Sequence, residues 1–226
     1  MESASFQGSL LDVGTEIRLG PLEGTVQRTE LGLGAWIDVR RGWVAGADEL
    51  FVRLHDVVPW TAERRHMYDR VVDVPRLLCF YDEGQPLPDP VLDEARDALN
   101  RYYGHVPAPP SAPTVAPGPH PVDQVLRTAG LCLYRDGRDS VAWHGDTIGP
   151  SRTEDTMVAI VSVGSPRSLL LRPLGGGRTA VRHELGHGDL VVMGGSCQRT
   201  WQHAIPKTAR AVGPRISIQF RARGVR

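Results

Sequence analysis

Apolar and polar residues alternate in short runs along the second half of the chain, and turns that contain Gly or Pro separate these runs. Alternation of this kind predicts β-strands, because successive side chains of a strand point to opposite faces of the sheet. The runs cover residues 131–134, 141–144, 156–163, 168–172, 179–182, 189–193, 200–203 and 215–220. Such a succession of short strands favours a jelly roll or a barrel-like sandwich.

Residues 90–103, ahead of these strands, carry the clearest helical pattern of the chain. Their apolar positions recur at helical spacing and form one stripe. Asp89 stands at the N-cap position, Pro90 at the first helical position and Gly104 just past the end. Further elements are predicted as short helices over 48–54 and 122–128 and as strands over 16–19, 35–40 and 74–81. The predicted fold is mainly β, with flanking helices packed against one outer face of a double-stranded β-helix, or jelly-roll, core.

The length of 226 residues allows one large domain, or one domain with an appended piece. Residues 106–121 are rich in Pro and Ala and predict a surface loop within the domain. The chain contains no run of 18 apolar residues, and its N-terminus lacks the basic flank and apolar core of a signal peptide. A cytoplasmic protein without a membrane segment is therefore expected.

The cysteines argue against two kinds of site, and the distribution of charge indicates one kind of partner. Cys79, Cys132 and Cys197 are odd in number and lack C-x-x-C spacing, which argues against a disulfide framework or a thiolate zinc site. The formal net charge is zero, but after Asp189 the chain has no acidic residue and seven basic ones. This C-terminal segment is predicted to present a positive field to an anionic partner.

A metal site is suggested by a His-x-Asp pair, His144 and Asp146, with His203 downstream. Two imidazoles and one carboxylate form the facial triad typical of non-haem Fe(II) oxygenases, which leaves coordination positions open for substrate and O2. If the pair lies on a strand, its i, i+2 spacing places both side chains on one face. His-x-Asp alone is a pattern that arises by chance, so the neighbouring motifs have to decide.

Residues 183–187 read HELGH and match the H-E-x-x-H signature of zinc metalloproteases. That signature requires a helix, whereas the flanking residues are strand-like, and Gly186 and Gly188 weaken a helix. No glutamate follows Glu184 to serve as a third ligand, and Leu190 stands where the extended signature needs glycine. The protease interpretation is therefore disfavoured.

The last predicted strand has two chemically different faces. Arg215, Ser217, Gln219 and Arg221 alternate with the apolar residues of the segment RISIQFR. Two arginines on one face suit a small dicarboxylate, because a guanidinium group binds carboxylate through two parallel hydrogen bonds. The pattern alone is equally compatible with solvated arginines on an edge strand.

Five segments carry further motifs in order along the chain: LYRDGRDSVAWHGD at 133–146, IVSVGSPR at 160–167, GDLVVMGG at 188–195, WQHAIPK at 201–207 and RISIQFR at 215–221. Together they resemble the successive signatures of the AlkB family, Fe(II)- and 2-oxoglutarate-dependent dioxygenases that repair alkylated nucleic-acid bases. The segment PRLLCFY at 75–81 is similar to the family's segment ahead of the core. The resemblance covers about residues 72–222 and implies a dioxygenase domain over 71–226, preceded by an extension over 1–70 of uncertain role.

Carried over residue by residue, the resemblance implies that His144, Asp146 and His203 bind Fe(II). It implies 2-oxoglutarate as cosubstrate, with Arg215 and Arg221 at its two carboxylate ends. Tyr134 would donate a hydrogen bond to the cosubstrate, and Ser217 would lie beside it, between the two arginines on the strand.

Four positions depart from the family's common pattern. Cys132 and Ser217 stand where the family often has asparagine, which implies fewer contacts to the cosubstrate. Thr147 and Ile148 stand where acidic residues commonly follow the metal-binding aspartate, which bears on recognition of the base.

The chemistry that the resemblance implies is oxidative dealkylation with O2. An N-alkyl carbon of a base is hydroxylated and leaves as an aldehyde, while 2-oxoglutarate becomes succinate and CO2. The expected partner is alkylated DNA or RNA, single-stranded or with a flipped base, and Tyr81 is a candidate base contact. A monomer is expected. The alternatives are the same chemistry on a protein or small molecule, and a jelly-roll binding module without turnover.

Overall fold

The computed structural model describes residues 16–67, 70–105, 125–147 and 149–225. Within these ranges the chain forms, in order, β1 (Arg18–Leu19), β2 (Gln27–Gly32), β3 (Ala35–Arg40), β4 (Val44–Ala45), α1 (Ala47–Val57), β5 (Thr61–Met67), β6 (Arg70–Tyr81), α2 (Pro90–His105), β7 (Leu126–Tyr134), β8 (Val141–His144), β9 (Val158–Gly164), β10 (Arg167–Pro173), β11 (Val181–Leu185), β12 (Asp189–Gly195), α3 (Cys197–Thr200), β13 (Trp201–Ile205) and β14 (Arg215–Ala222). A short 3-10 turn, Gly149–Arg152, follows β8.

Two antiparallel sheets make up the core of the fold. The major sheet has eight strands in the order β2-β3-β12-β9-β14-β7-β6-β5, and the minor sheet has four in the order β11-β10-β13-β8. One apolar cluster combines side chains from both sheets, such as Ile37, Val191, Leu171 and Ile205, and therefore fills the space between them. This arrangement confirms the predicted mainly β class with a jelly-roll core.

A second apolar cluster lies on the other face of the major sheet, where α1 and α2 cover it. Leu50 and Leu54 of α1, Leu99 of α2 and Ile218 of β14 all belong to this cluster. Each fully buried side chain of this size contributes about 1.5–3 kcal/mol relative to an exposed one. The helices therefore cover the apolar face of β14, a central strand of the major sheet, and its polar face is directed between the sheets.

Strand β14 confirms the predicted alternation. Ile216, Ile218 and Phe220 are fully buried on the helix-covered face. Arg215 and Ser217 on the opposite face are nearly as deeply buried, so the strand is central and does not lie at an edge. The interpretation as solvated arginines on an edge strand is therefore wrong.

Helix α2 confirms the predicted start and extends the predicted end. Asp89 Oδ1 accepts a hydrogen bond from the Val91 backbone N–H at 3.0 Å, which is the expected N-cap interaction. The helix runs through Gly104 to His105. Gly104 does not adopt the left-handed conformation by which a glycine commonly ends a helix.

The short helix expected over 122–128 is wrong in its second half. Residues 126–128 begin β7, whose Thr128 pairs with Arg221 of β14. Strand β7 has β14 on one side and β6 on the other, and these pairings outweigh a weak local helical preference. Residues 121–124, and the loop predicted over 106–121, lie outside the described residues.

The first part of the chain contributes to the same sheet as the rest. Strand β3 pairs with β12 through Ile37 and Met193, and β2 lies outside β3 at the sheet edge. Helix α1 covers the predicted 48–54 and extends it at both ends. The described part of the segment expected as an extension is thus built into the fold, while the boundary at residue 70 stays a prediction. None of the helices in the described ranges is long and apolar enough to cross a bilayer.

Candidate metal centre

His144 and His203 face each other across two paired strands of the minor sheet. His144 is the last residue of β8 and lies opposite His203 of β13. The two ring centroids are 4.2 Å apart. The Nδ1 of His144 is 2.8 Å from the Ala142 carbonyl oxygen, so it carries the proton and leaves Nε2 to face the site.

Asp146 completes the group from the turn that follows β8. Its Oδ1 is 3.5 Å from His144 Nε2, and one ligand atom from each of the three residues lies within 4.8 Å of the others. Within the described part of the chain, these three side chains form the group that could hold a metal ion. The geometry brings together the three predicted ligands, although Asp146 itself is not on the strand.

The main chain of Asp146 is held on both sides. Its N–H donates to Oε1 of Gln198 at 3.1 Å, and its carbonyl oxygen accepts a hydrogen bond from the Ser151 hydroxyl. A Cβ at the preceding residue, Gly145, would lie 2.2 Å from the Gln198 carbonyl oxygen. The residue between the two ligands therefore has to be glycine for α3 to approach this closely.

The burial and the charges around the site hold Asp146 and His203 in the protonation states in which such side chains bind a metal ion. Burial by itself raises the pKa of Asp146, but Arg221, His203 and His144 outweigh it and hold that pKa well below its usual range. Burial, together with His144, lowers the pKa of His203 to about 3. An ionised carboxylate and a neutral imidazole are the forms that bind a metal ion.

A chain of polar contacts links Asp146 to the inner face of β14. Arg221 Nε donates to Asp146 Oδ2 at 2.9 Å, and the other end of this guanidinium donates to Gln219 Oε1. Gln219 Nε2 in turn lies 3.3 Å from Ser217 Oγ and 3.5 Å from Cys132 Sγ. Arg221 therefore balances the charge of the Asp146 carboxylate, the predicted metal ligand.

Arg215 lies at the other end of the same strand face, buried against Tyr134. Its Nε donates to Ser162 Oγ at 2.8 Å, and its guanidinium carbon lies 5.1 Å from the centre of the Tyr134 ring. Its Nη1 is buried without a hydrogen-bond partner. Burial lowers the pKa of Arg215, and no carboxylate is among the groups that shift it. The site thus holds a buried cation with an unused donor.

Both halves of the site fit the groups that the sequence predicts. Two imidazoles and a carboxylate within mutual reach suit Fe(II). The unpartnered Nη1 of Arg215 suits a carboxylate, since buried N–H groups normally have an acceptor.

Sequence reasoning missed several residues of the site. Gln198 lies on α3, which the pattern did not predict. Ser162 could have been noticed, because it is a polar residue within the apolar strand VAIVSVG. Arg76 of β6 also reaches this region. Burial lowers the pKa of Arg76, but nearby groups, Cys132 and Tyr134 among them, outweigh it and raise that pKa. The Nε of Arg76 is buried without a partner.

The HELGH segment does not form a metal site. His183 and Glu184 lie on β11, paired with Leu169 and Ser168 of β10. His187 lies in the following turn, where its Nδ1 accepts a hydrogen bond from the Gly164 N–H at 2.7 Å. Because the required helix is absent from this segment, the structure confirms the rejection of the protease interpretation.

The structure does not bring Tyr81 to the site. Its side chain packs against the apolar cluster under the helices, on the opposite face of β6. Thr147, after the metal-binding carboxylate, is exposed, and Ile148 lies outside the described residues.

Comparison with known proteins shows the family. The chain is 31% identical over 197 residues to alpha-ketoglutarate-dependent dioxygenase alkB homolog 3 of Bos taurus, covering 77% of this chain and 61% of that protein. It is 27% identical to the DNA oxidative demethylase ALKBH2 of Arabidopsis thaliana, covering 73% and 58%. The 2OG-Fe(II) oxygenase superfamily matches residues 44–221. The chain belongs to the AlkB family of 2OG-Fe(II) oxygenases.

The similarity to a solved structure is one of fold, and the similarity to the curated relatives covers only part of their length. The structure of OsALKBH1 matches with a TM-score of 0.56 and 14% identity, covering 87% of this AlkB-family chain and all of that one, which is a likeness of fold. The chain spans 61% of bovine and 50% of human alkB homolog 3. The superfamily match begins at residue 44, within the segment expected as an extension. Membership implies Fe(II), 2-oxoglutarate and O2, and His144, Asp146 and His203 are the candidate iron site.

Replacing Gln198 with alanine is expected to weaken metal binding about 10- to 100-fold, because the Asp146 N–H loses its acceptor and the carboxylate is no longer held in place. Titration with Mn(II) or Co(II), followed by calorimetry, measures the change. Gln202→Ala is the matched control: Gln202 is next to His203 on β13 but accepts from Arg172. Equal metal affinities for the two variants would contradict a positioning role for Gln198.

Proposed function

We propose that this protein carries out Fe(II)- and 2-oxoglutarate-dependent oxidative dealkylation of N-alkylated bases in DNA or RNA. One observation carries the proposal: the three metal-binding side chains and the buried Arg215, with its unused donor, line the space between the same two sheets. Family membership supports the oxygenase chemistry, and the names of the relatives support the substrate class.

The protein's own residues have defined tasks in this proposal. When bound, iron with 2-oxoglutarate and O2 supplies the oxidation of an N-alkyl carbon, which then leaves the base as an aldehyde. His144, Asp146 and His203 offer three ligand atoms on one side of the metal position. Arg215, Tyr134 and Ser217 would bind the cosubstrate in a space that excludes water, since all three are almost completely buried.

Arg221 has two tasks in the proposed site. It pairs with Asp146, and its guanidinium also lies on the strand face that carries Arg215. It therefore both stabilises the ionised ligand and adds positive charge to the region that receives the cosubstrate dianion.

The proposed substrate is a single strand or a flipped base, because a reaction on the Watson-Crick edge requires an unstacked base. The positive C-terminal segment supports an anionic partner. The monomeric state and the cytoplasmic location predicted from the sequence belong to the same proposal.

The test is an assay with single-stranded oligonucleotides that carry 1-methyladenine or 3-methylcytosine, supplied with Fe(II), 2-oxoglutarate and O2. Demethylation is expected with one succinate for each methyl group removed, and paired DNA and RNA oligonucleotides report the preferred nucleic acid. Unmethylated oligonucleotides are the control. Absence of both succinate and demethylation on every oligonucleotide would refute the proposal.

A second candidate is the same chemistry on a protein or small molecule. Exposed Thr147, in place of the family's common acidic residue, favours this alternative. Succinate release that methylated peptides stimulate and methylated oligonucleotides do not would establish it.

A further inference from the structure

The three cysteines of the chain lie in different surroundings, and one of them belongs to the space between the two sheets. Cys132 of β7 is buried there, and its backbone lies opposite Ser217 of β14. Cys79 of β6 is half-buried and packs against the apolar cluster under α1 and α2. Cys197 of α3 is buried, and burial together with Asp146 raises its pKa to about 12. Cys132 is therefore the cysteine that shares the region of the buried arginines.

Donor groups and positive charge surround the sulfur of Cys132. Nε2 of Gln219 donates to Sγ at 3.5 Å. Burial lowers the pKa of Arg76, but Cys132 is among the nearby groups that outweigh it and raise that pKa. Burial also lowers the pKa of Arg215, and Tyr134 and Cys132 oppose that effect. The sulfur thus lies within electrostatic range of two guanidinium groups, and such surroundings stabilise the thiolate, which is the nucleophilic form of cysteine.

The same two arginines carry hydrogen-bond donors that are not used. Nη1 of Arg215 and Nε of Arg76 are buried without a partner, and Arg215 is 1% exposed. Buried N–H groups normally have an acceptor. An oxygen atom bonded to the Cys132 sulfur would be an acceptor in this region, and its hydrogen bonds to a guanidinium would be charge-assisted. The surroundings therefore favour both the thiolate that reacts and an oxidised product.

We propose that Cys132 is a site of oxidation by peroxide, and that its oxidation blocks the binding of 2-oxoglutarate. The thiolate sulfur attacks one oxygen of hydrogen peroxide, so that an S–O bond forms and the O–O bond breaks. Sulfur loses two electrons and becomes a sulfenic acid, while the second peroxide oxygen leaves as hydroxide and takes up a proton to give water. An added thiol condenses with the sulfenic acid to a mixed disulfide and water, and a second thiol then releases Cys132.

The effect on cosubstrate follows from the position of the sulfur. Ser217, opposite Cys132, and Arg215 are residues to which the proposed function assigns cosubstrate binding. An oxygen on the sulfur would occupy part of that space and would accept hydrogen bonds from the same donors. This inference thus rests on the proposed function, whose cosubstrate position it uses. Bound 2-oxoglutarate should protect the thiol, and the oxidised thiol should exclude 2-oxoglutarate.

The first test compares the three thiols in the intact chain, loaded with Mn(II) because Fe(II) itself reacts with peroxide. Hydrogen peroxide is added with dimedone, which traps sulfenic acids, and peptide mass spectrometry measures the labelling rate of each cysteine. Cys132 should be labelled at least about tenfold faster than Cys79, although Cys79 is the more exposed. At a hundred times its dissociation constant, 2-oxoglutarate should slow labelling of Cys132 about a hundredfold and leave that of Cys79 unchanged.

The second test measures 2-oxoglutarate binding by calorimetry before and after peroxide. Oxidation should weaken binding by about tenfold or more, since an extra atom in a packed space has to displace its neighbours, and dithiothreitol should restore it. Cys79→Ser should lose and regain binding as the wild-type protein does, because Cys79 packs on the helix-covered side of the sheet. In Cys132→Ser, the affinity for 2-oxoglutarate should be the same with and without peroxide.

Gln219→Glu tests why Cys132 is reactive. This variant keeps the oxygen that accepts from Arg221, but it replaces the donor beside Cys132 by a negatively charged oxygen. Labelling of Cys132 should slow by about tenfold or more, with Cys79 as the internal reference. Metal affinity serves as the check that the site is folded. Unchanged labelling of Cys132 in a folded Gln219→Glu protein would overturn the electrostatic origin of its reactivity.

The remaining outcomes separate this inference from the proposed function. Labelling of Cys79 at the rate of Cys132 or faster overturns the inference, because the rates then follow exposure. Oxidation of Cys132 that leaves 2-oxoglutarate binding unchanged overturns it as well, while the function stands. A wild-type protein that does not bind 2-oxoglutarate at all refutes the proposed function and the blocking effect, whereas faster labelling of Cys132 than of Cys79 would still support its reactivity.

Discussion

Asp146→Asn is expected to weaken metal binding by more than about a hundredfold and to abolish turnover. Loss of an outer-shell partner alone typically costs about 10- to 100-fold in metal affinity, and Asp146 is itself a predicted ligand. The change also leaves Arg221, which is largely buried, without its anionic partner. Breaking such a pair costs about 3–5 kcal/mol, which corresponds to a fall of roughly 6–20 °C in the melting temperature of the metal-free protein.

Asp189→Asn is the matched control for this prediction. Asp189 is another buried carboxylate that pairs with an arginine, Arg41, and accepts a hydrogen bond from the Gly42 N–H at 2.8 Å. Its replacement should also lower the melting temperature but should leave metal affinity unchanged. In the double variant Asp146→Asn/Arg221→Gln, part of the lost stability should return while metal binding stays lost. Normal metal binding by Asp146→Asn would contradict its assignment as a ligand.

Arg215→Met is expected to lower activity more than a hundredfold and, without cosubstrate, to make the protein more stable. Arg215 is a buried cation with no carboxylate among the groups that shift its pKa. Replacing even a buried ion pair by apolar side chains of similar volume is often neutral or stabilising by about 1–4 kcal/mol, and Arg215 lacks the anionic partner of such a pair. We expect the desolvation penalty of this arginine to be offset when the carboxylate of the cosubstrate binds to it.

Thermal unfolding with increasing 2-oxoglutarate measures both effects. The wild-type protein, loaded with Mn(II), should gain about 2.7 kcal/mol of stability at a hundred times the dissociation constant, whereas Arg215→Met should gain almost nothing. Arg138→Met is the control, because Arg138 is a highly exposed arginine paired with Asp136, and neither its melting temperature nor its response to 2-oxoglutarate should change. A wild-type response to 2-oxoglutarate in Arg215→Met would contradict the proposed role of this arginine.

The strands of the second half could be predicted because their alternation reflects a local property of the backbone. Val141–His144 was predicted with the bounds that the structure has, and the other seven runs each overlap a strand of the two sheets. The weaker predictions lie where local preference and pairing disagree. Residues 126–128 have a helical preference, but Leu126 and Thr128 pair with β14, and non-local partners of this kind leave no trace in a short sequence window.

The candidate site could be predicted only in part for a related reason. His144, Asp146 and His203 are chemically distinctive, and the ordered motifs around them made the combination specific. Gln198, which holds the Asp146 main chain, is an ordinary polar residue in sequence, and only the approach of α3 to Gly145 gives it this task.

The sequence by itself determined the fold class, the set of metal-binding residue types and the alternation that places Arg215 and Arg221 on one face of a strand. These features depend on the period of a strand and on side-chain chemistry, both of which are local. Only the tertiary structure decided that Arg221 pairs with Asp146, and that Tyr81 packs under the helices and away from the site. The physical reason is that these outcomes depend on which face of each strand the helices cover, and that is set by packing between distant parts of the chain.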